Sequence, residues 1–291
     1  MATVVHVDAD ILVYSAGFAT ERRFYSVTAY DPDFNEYVAL EFQYKAEVDE
    51  FIESPSGAAM VDHSVEQKSE AEPLSHAIKV LELMVKRIAT NLEVSDDDIV
   101  MHLTGKTNFR KEIATIKPYK GNRKDTAKPV HFTGIQQAIK DRWTTLLSVD
   151  EEADDTMGYH HYKAFIAGED SIICTIDKDL DMIPGKHYNF RKSDLYYVDE
   201  QQAEQAFYEQ LLKGDTTDNI VGVKGVGAAK AQKALSGTET IEEMEAVVGD
   251  MYRKGYGEDW YDALIENGRL LWIRRTPGEM WQPTYIKQGD K

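Results

Sequence analysis

The chain holds a single cysteine, Cys174, which excludes an intrachain disulfide. It lies in the apolar run Ser171-Ile-Ile-Cys-Thr-Ile and reads as a buried strand residue, so a reducing compartment is expected. No apolar run approaches the length of a membrane span, and Ala2-Thr-Val-Val-His-Val-Asp meets an acid too early for a signal peptide. The expected location is the cytoplasm, with no membrane partner. Basic residues are scarce. Lys and Arg number 33 against 51 Asp and Glu, a net charge of -18. That balance alone argues against phosphate-rich partners, which need cations.

The basic residues are not evenly spread. Lys106, Arg110, Lys111, Lys117, Lys120, Arg123, Lys124 and Lys128 crowd one stretch that carries only Glu112 and Asp125 as acids. The block is either a solvated charged loop or a local phosphate-binding surface. The remaining 42% hydrophobic content suits a folded core.

Patterning predicts an α/β protein. Thr3–Asp8 reads as a buried strand, followed by a helix over about 10–19. Residues 24–44 alternate as a hairpin around Asp31-Pro-Asp-Phe-Asn. Residues 54–73 are polar and read as an exposed loop. Leu74–Leu92 has a helical stripe of Ile78, Leu81, Val85 and Ile88. A strand over 98–104, a helix around 133–147, a helix over 152–166, a strand over 171–176, a short helix after Asp177 and a strand pair near 187–198 follow. From Gln201 the chain reads as helical with glycine breaks. The fold expected is a mainly parallel central sheet flanked by helices. The domain division expected is 1–200, with the basic segment at about 105–134, and a helical region over 201–291.

Acids concentrate where strands end. Asp8 and Asp10 close the first strand, and Glu152, Asp154 and Asp155 open a helix. Asp177 and Asp179 follow the strand around Cys174, and Asp215 and Asp218 stand in Gly-Asp-Thr-Thr-Asp-Asn. In a parallel sheet the carboxyl ends of strands share one edge, where ligands bind. Each cluster taken alone also fits a helix cap or a turn, and Asp10 reads as a cap of the first helix. Together they would repel unless a cation relieved them. Hard oxygen donors without His or Cys point to Mg²⁺ or Mn²⁺. Two such ions can hydrolyse a phosphodiester.

In order along the chain stand His6-Val-Asp8-Ala-Asp10, Asn108-Phe-Arg110-Lys-Glu, Tyr119-Lys120-Gly-Asn-Arg123-Lys, Glu152-Ala-Asp154-Asp155, Thr175-Ile-Asp177-Lys-Asp179 and Gly214-Asp215-Thr-Thr-Asp218-Asn-Ile-Val-Gly-Val-Lys-Gly225-Val-Gly227-Ala-Ala-Lys230. This ordered set resembles the 5′-nuclease family of flap endonucleases and 5′→3′ exonucleases, most closely those of bacteriophages. The resemblance covers roughly residues 3–235. It implies a PIN-like fold with a helical arch at about 105–134 and a helix-hairpin-helix at about 214–236. Asp8, Glu152 and Asp154 would bind one metal ion. Asp155, Asp177, Asp179, Asp215 and Asp218 would serve a second or its water shell. Lys120 and Arg123 would stabilise charge at the scissile phosphate, while Arg110, Lys117 and Lys124 grip neighbouring phosphates. Gly225, Gly227 and Lys230 would meet duplex DNA, where the family often holds a K⁺ ion. Tyr14 is a core aromatic or a platform for a terminal base. The implied partners are DNA with a 5′ end or flap, and replication proteins.

One departure stands out. The family has a further metal aspartate shortly before the Phe-Arg motif, and this chain has His102-Leu-Thr104-Gly-Lys-Thr-Asn there. A DNA-binding accessory protein that has lost catalysis is therefore one alternative. A haloacid-dehalogenase-type phosphatase is another, because Asp8-Ala-Asp10 resembles its nucleophile motif. That reading leaves Glu152-Ala-Asp-Asp and the basic segment without a role. A magnesium-dependent ribonuclease is a third alternative, against which the helix-hairpin-helix signal weighs.

Overall fold

The computed structural model describes residues 3–123 and 127–289. Along the chain run β1 (Val4–Asp8), α1 (Ala9–Ala19), β2 (Glu21–Asp31), β3 (Glu36–Phe42), α2 (Lys45–Glu53), α3 (Pro55–Ala58), β4 (Val61–Ala71) and α4 (Leu74–Leu92). Then follow β5 (Ile99–Leu103), α5 (Arg110–Ile113), α6 (Phe132–Arg142), β6 (Thr144–Leu147), α7 (Ala153–Ala167), β7 (Ser171–Cys174), β8 (Gly185–Asn189) and β9 (Asp194–Val198). The helices α8 (Glu200–Lys213), α9 (Ala228–Ala234), α10 (Ile241–Tyr256) and α11 (Trp260–Leu271) complete the chain.

The six-stranded sheet has the order β6-β5-β1-β7-β8-β9. All its pairs are parallel except β8 with β9. Val5, Val7, Ile99, Met101, Ile173 and Cys174 are fully enclosed, as expected of a parallel sheet covered on both faces. The register sets Asp8 beside His102 and Leu103 beside Leu147, so β1, β5 and β6 end at one level. β7 pairs with β1 up to Cys174, which brings Thr175 and Asp177 to the same edge. Strand order thus gathers segments far apart in sequence.

The described residues divide into two compact units. One comprises those within Met1–Leu12, Val85–Ala127 and Ile139–Lys291, and it holds the six-stranded sheet and the C-terminal helices. The other comprises Val13–Met84 and Lys128–Ala138, and it holds the antiparallel sheet β3-β2-β4. The expected boundary at residue 200 is therefore not where the chain divides. The reason is a continuous core: Met157, Ile173, Leu180 and Ile183 pack in one cluster with Phe207, Leu211, Tyr252, Trp260 and Trp272. Glu245, buried on α10, accepts from the backbone amides of Thr284, Tyr285 and Ile286 and fastens the tail to this core.

Three other expectations change. Residues 54–73 hold α3 and the strand β4, which pairs with β2 over Glu21–Tyr30. β4 is exposed along nearly its whole length, and its polar residues therefore hide the strand pattern. The helix expected over 133–147 stops at Arg142, and Thr144–Leu147 joins the parallel sheet as β6. The segment expected as a helical arch has only α5 and a 3-10 turn, Gly121–Arg123, before residue 124. Lys124 and Asp125 lie outside the described residues.

Candidate active site

Asp8 is almost fully buried at the end of β1. Its Oδ1 accepts from the Ile11 amide at 3.3 Å and its Oδ2 from the Thr175 hydroxyl at 3.0 Å. Burial first, then Asp10, pushes its pKa up to about 7. Asp154, in the first turn of α7, has no hydrogen-bond partner of its own among the described residues. Burial and then the neighbouring charges of Asp8, Glu152 and Asp177 push it well above the carboxylate range. On the other side, burial and the Asp177 and Asp215 charges raise Asp179 to about 7. Glu152 stands at the N-cap of α7 and Asp177 at the N-cap of the 3-10 turn Lys178–Met182.

Asp215 and Asp218 come from a tight loop. Gly214 has φ +72°, and a Cβ on either Gly214 or Gly222 would strike the other residue's backbone within 2.3 Å. Those two glycines let the chain fold back so that Asp215 and Ile220 bridge. Asp215 Oδ1 then takes the amides of Thr217 and Asp218 at 2.6 and 3.1 Å, which turns Asp218 toward Glu152.

The basic segment docks on this loop. Lys120, with φ +53°, donates its amide to the Asp218 carbonyl at 2.8 Å. Asn122 Nδ2 reaches the Thr216 carbonyl at 2.7 Å, and Asn219 Nδ2 reaches Pro118 O at 2.9 Å. A non-glycine residue in the left-handed region needs such support. Lys120 Nζ lies 2.5 Å from Glu152 Oε1 and 3.7 Å from Asp218 Oδ2. Arg123 Nη2 lies 2.5 Å from Asp218 Oδ1. The Tyr119 hydroxyl bridges Glu152 Oε2 at 3.0 Å and Asp218 Oδ2 at 2.7 Å. Burial works against the Lys120 charge, but Glu152 and Asp218 outweigh it and raise its pKa.

Two expected site residues sit elsewhere. Arg110 is only 2% exposed. Its guanidinium holds Asp155 through two bonds, at 2.5 and 2.9 Å, and donates to the carbonyls of Leu270 and Trp272. It cannot grip a phosphate from there. Asp155 also accepts from the amides of Glu152 and Arg274. Burial opposes its charge, but Arg110 wins and holds its pKa below the usual range. Its oxygens are committed to the protein, so it is a structural anion and not a metal ligand. Tyr14 packs edge-on against Phe132 and beside Phe18.

Asp10 moves the other way. It does not cap α1, a task that Asp8 performs through the Ile11 amide. Its Oδ2 accepts from the Thr104 amide at 3.0 Å. Sequence reading also passed over Tyr119 as a bridge, although its place beside Lys120 was the available signal.

Among the described residues no three His, Cys, Asp or Glu side chains already form a closed metal cage. The donor set nevertheless fits a hard cation: it is all oxygen, crowded with like charge, and includes a carboxylate without a hydrogen-bond partner. Mg²⁺ in particular keeps much of its water and needs only one or two carboxylates. A cavity of about 30 Å³ opens among Tyr119, Glu152, Asp154, Asp179, Asp215 and Asp218, room for an ion or a water. The larger cavity, about 190 Å³, lies at the amino ends of β7 and β8 around His161 and Lys186, away from the carboxylates.

No family model matches the chain. Over 247 residues it is 29% identical to the exonuclease of Escherichia phage T7, an overlap covering 80% of this chain and 81% of that one. Over 203 residues it is 29% identical to the exodeoxyribonuclease of Enterobacteria phage T3, covering 66% of each. The chain is thus similar to phage exonucleases over most of its length. A T5 protein co-crystallised with metal ions shares this fold, with a TM-score of 0.55 at 14% identity over 92% of this chain and 89% of that one. The mainly parallel sheet flanked by helices is thus shared with that protein. No helix among the described residues is long and apolar enough to cross a membrane.

Proposed function

We propose that the chain is a metal-dependent 5′-nuclease that hydrolyses DNA phosphodiester bonds, as a 5′→3′ exonuclease, a flap endonuclease or both. The observation that carries this reading is the meeting of acids from β1, α7, the turn after β7 and the 214–222 loop beside Lys120. Asp8, Glu152 and Asp154 hold one Mg²⁺ or Mn²⁺ ion. Asp177, Asp179, Asp215 and Asp218 serve a second ion or its water shell. Bound there, the ions supply activated water and offset charge at the phosphate.

Lys120 and Arg123 neutralise Glu152 and Asp218 in the structure. With metal ions held by these acids, both side chains would be available to the scissile phosphate and would stabilise the charge that builds on it. Lys117 is exposed at the rim and, with Lys124, binds flanking phosphates. Gly225, at φ +76° with open space where a Cβ would stand, Gly227 and the exposed Lys230 at the start of α9 form the duplex contact. A K⁺ ion at that element, and replication proteins as partners, belong to the same reading. The acidic remainder of the surface repels DNA and confines it to these cations.

A 5′-flapped duplex labelled at each end in turn tests the proposal. It is incubated with the protein in Mg²⁺, in EDTA, and with Asp177→Asn. Cleavage in Mg²⁺ that is absent from both controls is expected, leaving a 5′-phosphate and a 3′-hydroxyl. Product lengths separate stepwise from flap cutting. Retained binding to the junction with no cleavage in Mg²⁺ or Mn²⁺ overturns it in favour of an accessory DNA-binding protein.

A further inference from the structure

We infer that Asp10 is a metal-ligating carboxylate of this site, carried in on α1 and held in place by Thr104. The inference rests on the metal-site reading above and adds a ligand to it. An aspartate in the first turn of a helix ordinarily caps it. Here that need is met by Asp8, whose Oδ1 takes the Ile11 amide. The Asp10 carboxylate reaches instead to the end of β5, where its Oδ2 accepts from the Thr104 amide at 3.0 Å.

Thr104 is itself fixed on the opposite side. Its hydroxyl oxygen accepts from the Ala153 amide at 3.0 Å, in the turn between Glu152 and Asp154. The Thr104 amide on Oδ2 fixes the orientation of the Asp10 carboxylate. No Lys or Arg lies within salt-bridge distance of Asp10 among the described residues. The result is a half-buried, oriented carboxylate with no ion pair among the described residues, beside Asp8 and Glu152. β5 contributes no acid at its own carboxyl end, and Asp10 supplies a negative charge at that position.

The test is Mn²⁺ binding, followed by electron paramagnetic resonance on the whole protein, with folding checked by circular dichroism. Asp10→Asn is expected to weaken Mn²⁺ binding about 10-fold or more, the scale of losing a supporting ligand. Asp10→Asn combined with Thr104→Asp moves the carboxylate to β5 and is expected to recover most of the loss. Asp154→Asn is the control for the underlying reading. If it too leaves Mn²⁺ binding unchanged, the metal site itself fails. If it weakens binding while Asp10→Asn does not, only the present inference fails. Should Asp10→Asn not fold, Mn²⁺ anomalous scattering from soaked wild-type crystals decides. A peak in contact with the Asp10 carboxylate supports the assignment, and peaks only on other carboxylates overturn it.

Discussion

Replacing Asp155 by Asn should unfold the protein far more readily while leaving no metal ligand missing. Asp155 is fully enclosed and neutralises Arg110, whose guanidinium is also buried. Removing one member of such a pair leaves the other as an uncompensated charge, at a cost of about 3–5 kcal/mol. Asn keeps the shape but can satisfy only part of the set that Asp155 accepts from: two guanidinium nitrogens and the amides of Glu152 and Arg274. For a chain of this size roughly 2–4 °C of melting temperature follows each kcal/mol, so a fall of about 10 °C is expected in EDTA. Arg110→Met should cost a similar amount. The double variant should lose less than the sum, because the two residues share one interaction. Thermal denaturation of the three variants in EDTA decides this. A melting temperature for Asp155→Asn within about 2 °C of wild type would refute the structural role and return Asp155 to the metal ligands.

Other consequences can be checked alongside it. Lys120→Ala should lower the cleavage rate at saturating DNA by about 10²–10³, the scale of losing one donor to a developing negative charge; an unchanged rate would mean that Lys120 serves only as a counter-ion to Glu152. Mg²⁺ at about 100 times its dissociation constant should stabilise the fold by about 2.7 kcal/mol, read as a rise in melting temperature that EDTA abolishes and Asp154→Asn blunts. His161 has its pKa pulled down to about 3, by burial first and then by His187 and His6. The unfolded chain takes up that proton near 6.5, so the stability is full above pH 6.5 and is lost as the pH falls toward 3. Urea midpoints at pH 7.5 and pH 5 should therefore differ, and His161→Gln should narrow the difference. Gly225→Ala forces a side chain into the left-handed region, at a cost of about 1–2 kcal/mol. It should weaken duplex binding more than single-strand binding.

The alternation of strands and helices was legible because buried parallel strands are continuous apolar runs and α4 carries an unbroken stripe. β4 was not, since a strand exposed along nearly all its length has no hydrophobic period to display. β6 was hidden for another reason: four residues directly after a helix offer too short a window to break the helical period. At the site, the chain positions of the acids foretold their convergence, but not which of them face it. Successive helical residues point about 100° apart, so Asp155 faces away from Asp154 and toward Arg110. That spacing was available in the sequence. What it could not supply was the partner: Arg110 meets Asp155 across 45 residues, and the carbonyls that hold Arg110 lie 160 and 162 residues further on. Asp10 was read as a cap because only the fold reveals that Asp8 has taken that role.

The Leu270 and Trp272 carbonyls that clasp Arg110 also bear on how the protein is made. Synthesis runs from the amino end, and domains generally fold as units once their contacts are available. β1 and α7 leave the ribosome long before α11 does, yet the helix start that carries Glu152 and Asp154 is braced by a guanidinium whose own supports are translated 160 and 162 residues after it. Nascent chains halted before residue 270 would carry the acids in a loosely held arrangement. The acids of this site would therefore gain their full order only once residues 270–272 have emerged.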